Sequence, residues 1–290
     1  MTRIIESLAE ISSGYDTLFC DLWGCLHNGI TPFPEAVAAV RSFREAGGRV
    51  VLMTNAPRPD WAVAKMLAKM DMPEDVQDVI VSSGDAAQAA MLRGAVGRAV
   101  YHIGPSKDAG FFERIPEEFA DAPPIERVPF ARAEGIVCTG PFDEDRETPE
   151  DYRPTFLAAK ARGLKLLCAN PDIIVDFGDR RIFCAGALAA LYDEMGGESL
   201  YFGKPHPPIY DLARNRLAAM GHTPERVLAI GDGLQTDIRG ALLEDIDSVF
   251  VTGGLAAQET GTERQPDPQK LRQYLTQQQS DPTFSIGYLR

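Results

Sequence analysis

The chain has 290 residues, of which 44% are hydrophobic and 24% are charged. This balance excludes a disordered chain and a small scaffold that needs disulfides or metal for its core. With 29 basic and 42 acidic residues, the net charge is −13, so the chain should repel nucleic acid and anionic membranes. A small anionic substrate stays compatible, because it needs only a local positive group or a recruited divalent cation.

The cysteines and the first residues predict a cytoplasmic protein. Glu6 and Glu10 interrupt the apolar pattern of the N-terminal segment, which argues against a signal peptide. No run approaches about 18 uncharged apolar residues, so we expect no membrane span. Free buried thiols in a reducing compartment are expected from an odd set of cysteines without a CxxC pair: Cys20, Cys25, Cys138, Cys168 and Cys184.

Short apolar runs alternate with amphipathic helical patterns at both ends of the chain. In order, the patterns predict a strand over 17–22, a helix over 33–46, a strand over 49–53, a helix over about 59–70 and a strand over 78–82. Near the end they predict a strand over 226–230, a helix over 234–244 and a strand over 248–251. This alternation favours a doubly wound parallel sheet of the α/β class.

The middle of the chain has an alternation of its own. It predicts strands near 98–103, 135–139 and 164–168, and helices near 150–162 and 184–195. These about 115 residues are enough for a separate core. We therefore expect a second α/β domain inserted between the two ends. Its junctions are the segments SSGD and YFGKP, whose glycines would serve as hinges.

Polar side chains stand at the predicted strand ends and helix starts. Asp21 ends the first strand, Thr54 the second and Asp232 a late strand, while Lys204 precedes a helix and Asp237 opens another. In open α/β sheets, ligands bind beyond the carboxyl ends of the strands. This combination of carboxylates, a hydroxyl and an ammonium suits phosphoryl transfer.

The roles follow from the chemistry of the groups. Asp21 and Asp232 would hold a hard cation such as Mg²⁺ through oxygen atoms. Thr54, Lys204 and loop N–H groups would bind the remaining phosphate oxygens. Asp21 would attack phosphorus and form an aspartyl-phosphate that water hydrolyses.

The ordered set of residues resembles the four motifs of the haloacid dehalogenase (HAD) superfamily. The GKPxPxxY form around Lys204, the GDxxxTD form over 231–237 and the long insertion before Lys204 resemble its class IIA branch. That branch includes sugar-phosphate, nucleotide and p-nitrophenyl phosphatases. The resemblance covers essentially the whole chain. It implies a Rossmann-like core domain (1–84 and 201–290) with an inserted α/β cap domain (85–200).

The same resemblance assigns substrate and metal contacts. Asn55, next to Thr54, belongs to the phosphate-binding motif, and the loop of Asn170 and Asp172 matches a cap loop that points at the substrate. Asp21, the carbonyl of Trp23 and Asp232 would bind the metal, with Asp237 holding a metal-bound water or a nearby loop. Caps of this class often mediate dimers, so a homodimer stays open.

One position departs from the family pattern. HAD phosphatases carry an aspartate two residues after the nucleophile, where it protonates the leaving oxygen and activates water. Trp23 occupies this place and its side chain moves no proton, a loss that typically costs ~10²–10⁴ in rate.

Three interpretations follow from this departure. The first is a slow or leaving-group-selective phosphatase in which water or His27 stands in for the missing acid. The second is chemistry resembling that of the superfamily's dehalogenases, which carry an aromatic residue at the same place. The third is a protein that binds a phosphorylated ligand with little turnover. The retained Asp232 and Asp237 would repel Asp21 without a cation, which favours a Mg²⁺-dependent phosphatase of a small phosphorylated metabolite.

Overall fold

A computed structural model describes residues 2–177 and 180–290. The chain forms two compact units. Unit 1 comprises Met1–Thr54, Ala64–Val81 and Tyr210–Arg290, and unit 2 comprises Asn55–Val63 and Ser82–Ile209. The assignment of residues 85–200 as a cap stays a prediction.

Short strands and helices alternate through both units. The strands are β1 (Arg3–Ile4), β2 (Thr17–Cys20), β3 (Arg49–Thr54), β4 (Val79–Ser82), β5 (Ala99–Ile103), β6 (Glu126–Arg127), β7 (Gly135–Cys138), β8 (Lys165–Cys168), β9 (Ile174–Phe177), β10 (Arg180–Phe183), β11 (Glu198–Tyr201), β12 (Val227–Gly231), β13 (Asp247–Val251) and β14 (Phe284–Ile286). The helices are α1 (Pro34–Glu45), α2 (Asp60–Lys69), α3 (Ser83–Leu92), α4 (Arg153–Ala161), α5 (Ala185–Glu194), α6 (Pro207–Ala219), α7 (Arg239–Leu243), α8 (Ala257–Thr260) and α9 (Pro268–Gln277). They fall short of the length and apolar character that a membrane span requires, within the described residues.

The sheet of unit 1 has the order β1-β14-β13-β12-β2-β3-β4. The pairs from β1 to β3 are parallel. Cys20 in β2 pairs with Ile230 in β12 and with Leu52 in β3. From β2 the chain adds β3 and β4 on one side, and from β12 it adds β13 and β14 on the other side. The strand order therefore reverses between β2 and β12, which makes this the topological switch point where ligands bind in such sheets. The α/β, Rossmann-like fold class is confirmed.

The first helix of unit 1 shows why the sequence pattern was readable. Pro34 starts α1, where its missing N–H costs nothing. Val37, Val40 and Phe43 recur at helical spacing and are buried. Gly48 follows the helix, and a Cβ there would overlap the ring of Phe43. The chain can therefore turn tightly from α1 into β3.

Unit 2 has a parallel sheet in the order β11-β8-β7-β5-β6. Successive side chains of a strand point to opposite faces. Ile136 and Leu166 accordingly pack with α4 and α5, whereas Val137 and Leu167 pack with α3. Helices cover both faces, which explains why β7 and β8 read as continuous apolar runs. The strands β9 and β10 form a separate antiparallel pair.

The junction segment SSGD starts α3. The Ser82 hydroxyl accepts a hydrogen bond from the Asp85 N–H at 2.9 Å, and the Asp85 carboxylate accepts one from the Ser82 N–H at 3.3 Å. This reciprocal pair is a capping box. Gly84 lies inside the helix, and a Cβ there would overlap the backbone of Arg58. The glycine thus permits close packing at the start of the helix, and its role as a hinge stays a prediction.

A buried carboxylate anchors the end of the unit 1 sheet that lies opposite the strand carboxyl ends. Asp78 precedes β4, and its side chain is 1% exposed. It accepts hydrogen bonds from Arg44 (3.1 Å), Arg49 (3.0 Å) and the N–H of Val50 (2.9 Å). Burial would raise the pKa of Asp78, but these hydrogen bonds outweigh it and hold the pKa below its usual range.

We expect Asp78→Asn to lower the free energy of unfolding at neutral pH by about 1–3 kcal/mol, because two guanidinium groups lose a charged acceptor. A lowered folded pKa contributes stability above the unfolded pKa of about 3.9 and loses it as the pH falls through the folded value. The deficit of the variant should therefore shrink in acid. Denaturant unfolding of the wild type and the variant, at neutral pH and in acid, measures this difference in unfolding free energy. Asp75→Asn is the control, because Asp75 is 53% exposed. Equal losses in both variants would contradict the role of Asp78.

Candidate active site

Three polar side chains emerge at the carboxyl edge of the unit 1 sheet. Asp21 follows β2 and continues the ladder, since its N–H donates to the carbonyl of Ile230 at 2.8 Å. Asp232 follows the neighbouring strand β12, and Thr54 ends the neighbour on the other side, β3. Asp21 and Thr54 are 8% exposed and Asp232 is 7% exposed. The strand order thus gathers two carboxylates and a hydroxyl at one nearly buried edge.

Two glycines make room for the carboxylate of Asp232. Gly24 has a φ of +75°, and a Cβ there would overlap Asp232 Oδ2. A Cβ on Gly254, after β13, would overlap the same oxygen. The N–H of Leu255 donates to Oδ2 at 3.1 Å. The turn after Asp21 and the loop after β13 therefore form a cradle around one carboxylate, and only glycine fits its walls.

Asp237 braces the loop that carries Asp232. Its Oδ2 accepts a hydrogen bond from the N–H of Gly233 at 3.1 Å. A Cβ on Gly231 would overlap the Asp237 side chain. The carboxylate is buried in a π-helical turn that leads into α7. This matches the second of its two predicted roles, contact with a nearby loop; metal coordination by Asp237 stays a prediction.

The carboxylates at this edge fit a divalent cation. One ligand atom from each of Asp21, Cys25 and Asp232 lies within 4.8 Å of the others. Two buried carboxylates this close repel each other unless a cation neutralises them. Carboxylate oxygens are among the ligands that Mg²⁺ prefers.

Cys25 is a member of this group that the sequence reasoning missed. Its thiol is 1% exposed. Burial, followed by the charges of Asp232 and Asp21, raises the pKa of this thiol well above its usual range. The available signal was its position, four residues after Asp21 in the same turn.

Trp23 is held by its own loop. Its indole meets the ring of His27 edge-on, with 5.3 Å between centroids and an angle of 71°. The indole also packs against Gly29, whose φ is +86° and where a Cβ would overlap the ring. The N–H of Gly29 donates to Nδ1 of His27 at 2.9 Å. These contacts fix the orientation of a partly exposed aromatic ring in the turn that carries the site.

His27 has the properties of a neutral, buried imidazole. Burial lowers the pKa of His27 to about 4. Because Nδ1 accepts a hydrogen bond, the proton of the neutral ring resides on Nε2. Nε2 lacks a hydrogen-bond partner among the residues that the structure describes. A neutral imidazole is a weak acid, which argues against His27 as the substitute proton donor.

Asn55 organises the predicted site residues of unit 2. Its Nδ2 donates to the carbonyl of Lys204 at 3.0 Å and to Oδ1 of Asp172 at 2.8 Å, and its Oδ1 accepts from the N–H of Lys204 at 2.7 Å. Asn55 and Lys204 are each 3% exposed. A Cβ on Gly203 would crowd Asn55 and Pro171. One amide thus holds the backbone of Lys204 on both sides and links it to Asp172.

The loop of Asn170 and Asp172 is itself braced. Oδ1 of Asn170 accepts a hydrogen bond from the N–H of Asp172 at 3.0 Å. Gly186, in the first turn of α5, lets this loop approach, because a Cβ there would overlap the carbonyl of Pro171. The loop is therefore braced both by its own hydrogen bond and by its packing against α5.

The predicted site residues fall into two groups, one in each unit. Unit 1 holds Asp21, Trp23, His27, Thr54, Asp232 and Asp237. Unit 2 holds Asn55, Asn170, Asp172 and Lys204. The sequence predicted Asn55 as a phosphate contact, but both N–H bonds of its side chain are directed at Lys204 and Asp172. A positioning role explains these contacts, and direct phosphate binding by the Asn55 side chain stays a prediction.

Comparison with known proteins matches two family models. Residues 18–115 match the haloacid dehalogenase-like hydrolase family, and residues 201–277 match a HAD-hydrolase-like family. The two matched segments contain Asp21, Thr54, Lys204 and Asp232, and they flank the middle of the chain. The matches therefore fall on the segments that carry the four motifs.

Individual relatives extend this match over the whole chain. A haloacid dehalogenase-like hydrolase from Brucella suis 1330 superposes with a TM-score of 0.84 at 36% identity, covering 99% of this chain and 100% of that one. The ribonucleotide monophosphatase NagD of Escherichia coli K12 is 26% identical over 244 residues, 83% of this chain and 88% of that protein. Glycerol phosphate phosphatase from Mycobacterium tuberculosis, solved with magnesium, superposes with a TM-score of 0.63 at 25% identity over 84% of this chain and 70% of that one. The chain belongs to the haloacid dehalogenase-like hydrolases, in class IIA of that superfamily.

Proposed function

We propose that this protein is a Mg²⁺-dependent phosphatase of small phosphomonoesters with Asp21 as its nucleophile. The observation that carries the proposal is the pair of nearly buried carboxylates, Asp21 and Asp232, at neighbouring strand ends beside the hydroxyl of Thr54. Two of the relatives described above are named phosphatases, one of ribonucleotides and one of glycerol phosphate. They support a small phosphorylated metabolite as the substrate class.

Each site residue has a separate role in the proposed reaction. The Asp21 carboxylate attacks phosphorus, the bond to the leaving oxygen breaks, and water later cleaves the aspartyl-phosphate. The Thr54 hydroxyl donates a hydrogen bond to a phosphate oxygen. By the motif in which it lies, the Lys204 ammonium also donates to the phosphate oxygens. Asp21, Asp232 and the Trp23 carbonyl would hold the metal, with Asp237 bracing their loop. Bound there, Mg²⁺ would neutralise negative charge on the phosphate and the carboxylates.

Substrate choice and cellular context complete the proposal. Asn170 and Asp172 would contact the part of the substrate beyond the phosphate, since their braced loop carries two polar side chains. The five cysteines are free and buried, which supports a cytoplasmic location. A homodimer stays a prediction.

The metal site makes the first prediction of this function. Asp232→Asn should weaken Mg²⁺ binding at least about tenfold, because a neutral amide replaces an anionic oxygen ligand. Isothermal titration calorimetry measures it. Asp245→Asn removes the same charge from an exposed position in unit 1 and should leave the affinity unchanged. Equal Mg²⁺ affinity in wild type and Asp232→Asn would place the metal elsewhere.

Trp23 makes the second prediction, on the leaving group. An aryl phosphate expels a stabilised phenolate, whereas an alkyl phosphate expels a basic alkoxide that needs a proton. We expect p-nitrophenyl phosphate to react faster than sugar phosphates by about the worth of a general acid, ~10²–10⁴. Trp23→Asp should raise alkyl phosphate turnover. Trp23→Phe, which adds no acid, should not.

Two results would change this interpretation. Equal and fast turnover of both ester classes by wild type would show that another group supplies the proton. His27→Asn then tests the imidazole, because an amide oxygen can still accept the Gly29 N–H while no ring nitrogen remains. No turnover of either class, with Mg²⁺ and vanadate still bound, would favour the phosphorylated-ligand-binding protein, which the low pKa of His27 and the apolar Trp23 make the second candidate.

The clamp on Lys204 makes the third prediction. Lys204→Ala should abolish vanadate binding, because the ammonium for the phosphate oxygens is removed. Asn55→Ala should weaken vanadate inhibition by about 10²-fold, the cost of a displacement near 1 Å of a group that contacts the phosphate mimic. Gln88→Ala is the matched control, since Gln88 is an equally buried amide of unit 2 that donates twice to the backbone, at Phe111 and Arg114. Equal effects in the Asn55 and Gln88 variants would reduce the clamp to a stabilising contact.

A further inference from the structure

We propose that Asp21, Cys25 and Asp232 form a binding site for thiophilic divalent cations of the zinc class, in competition with Mg²⁺. The inference rests on the proposed function in one respect, because both cations would use the same two carboxylates. It goes beyond that function by giving the site a sulfur ligand and a second class of metal.

The geometry of the three side chains carries the proposal. Their ligand atoms lie within 4.8 Å of one another. Bonds to Zn²⁺ of about 2.3 Å from sulfur and about 2.0–2.2 Å from carboxylate oxygen place tetrahedral ligands roughly 3.5 Å apart. The 4.8 Å limit exceeds this spacing by about 1.3 Å, which is the most that any pair of ligand atoms has to close. Gly24 and Gly254 lie directly against Oδ2 of Asp232, where a larger residue would displace this carboxylate.

The burial of Cys25 separates it from an ordinary core thiol. Core cysteines pack against apolar side chains, and Cys25 instead lies beside two carboxylates at the sheet edge. Hard Mg²⁺ prefers oxygen, whereas thiolate ligands select softer cations. Two carboxylates and one thiolate supply three of the four ligands that tetrahedral Zn²⁺ takes, and Cd²⁺ is a softer cation of the same class. When the metal–sulfur bond forms, the thiol proton passes to solvent.

Occupation by such a cation would block phosphoryl transfer. Asp21 would become a ligand of a tightly held ion in place of a nucleophile beside Mg²⁺. Bound Mg²⁺ and bound Zn²⁺ would also exclude each other, since both need oxygens of Asp21 and Asp232. Cys25 thereby becomes the residue that determines metal selectivity at this site.

Cadmium binding tests the proposal with a readout that does not depend on activity. Cd²⁺ titrated into the metal-free protein should produce one equivalent of sulfur-to-cadmium charge-transfer absorption in the ultraviolet, and excess Mg²⁺ should reduce it. Cys25→Ser should abolish the band and weaken Cd²⁺ binding at least about tenfold, while Mg²⁺ affinity by calorimetry stays within about threefold, because sulfur matters only to the soft cation. Cys25→Ala serves if the serine variant does not fold.

Controls separate this inference from the proposed function. Cys20→Ser replaces the buried thiol that precedes Asp21 and should keep the band. Asp232→Asn should weaken both Mg²⁺ and Cd²⁺. A wild type that binds Mg²⁺ but shows no charge-transfer band, or a Cys25→Ser variant that keeps the band, overturns the thiophilic site and leaves the phosphatase proposal intact. A wild type that does not bind Mg²⁺ would instead contradict the proposed metal-dependent function.

Discussion

The repulsion between two nearly buried carboxylates, Asp21 and Asp232, is the constraint on which the rest of unit 1 depends. They stand at the ends of neighbouring strands on either side of the switch point, so the sheet itself forces them together. Burial removes the water that would otherwise screen the two charges, and a cation is the simplest way to stabilise the arrangement. The surrounding backbone then has to accommodate both carboxylates at this nearly buried edge.

The glycines of the site follow from this requirement. Gly24, Gly231 and Gly254 each lie where a Cβ would overlap a carboxylate of the site. Leu255 adds an N–H to Asp232, and Gly233 adds one to Asp237. Backbone donors and the absence of side chains at these glycines thus let the carboxylates pack closely against the loops, which larger residues would prevent. The glycines in the motifs around Asp21 and Asp232 are therefore explained by the close packing of these carboxylates.

Much of the fold could be predicted because its strands are buried on both faces and its helices are amphipathic. The predicted strands at 49–53 and 226–230 and the helix at 33–46 appear within a residue or two of their expected bounds. α3 was missed because Ser83, Gly84 and Asp85 resemble a turn until the reciprocal cap is seen. β1 and β6 were missed because two-residue strands have no periodicity. Motif order identified the site carboxylates, but the role of Asn55 depends on hydrogen bonds between segments far apart in the chain.

Trp23, in the turn after Asp21, raises the question of which group supplies a proton to the leaving oxygen. Trp23 stands where the resemblance predicts an acid, and its ring is held by contacts with Gly29 and His27. The hydrogen bond that fixes His27 also uses the ring nitrogen that would accept a proton, and burial lowers the pKa of His27 to about 4. His27 therefore contacts the indole as a neutral ring, which argues against it as a substitute for the acid. In the proposed mechanism, Asp21 and the metal ligands are kept while general acid catalysis by the side chain at position 23 is lost, so the rate would depend on how readily the leaving group departs without a proton.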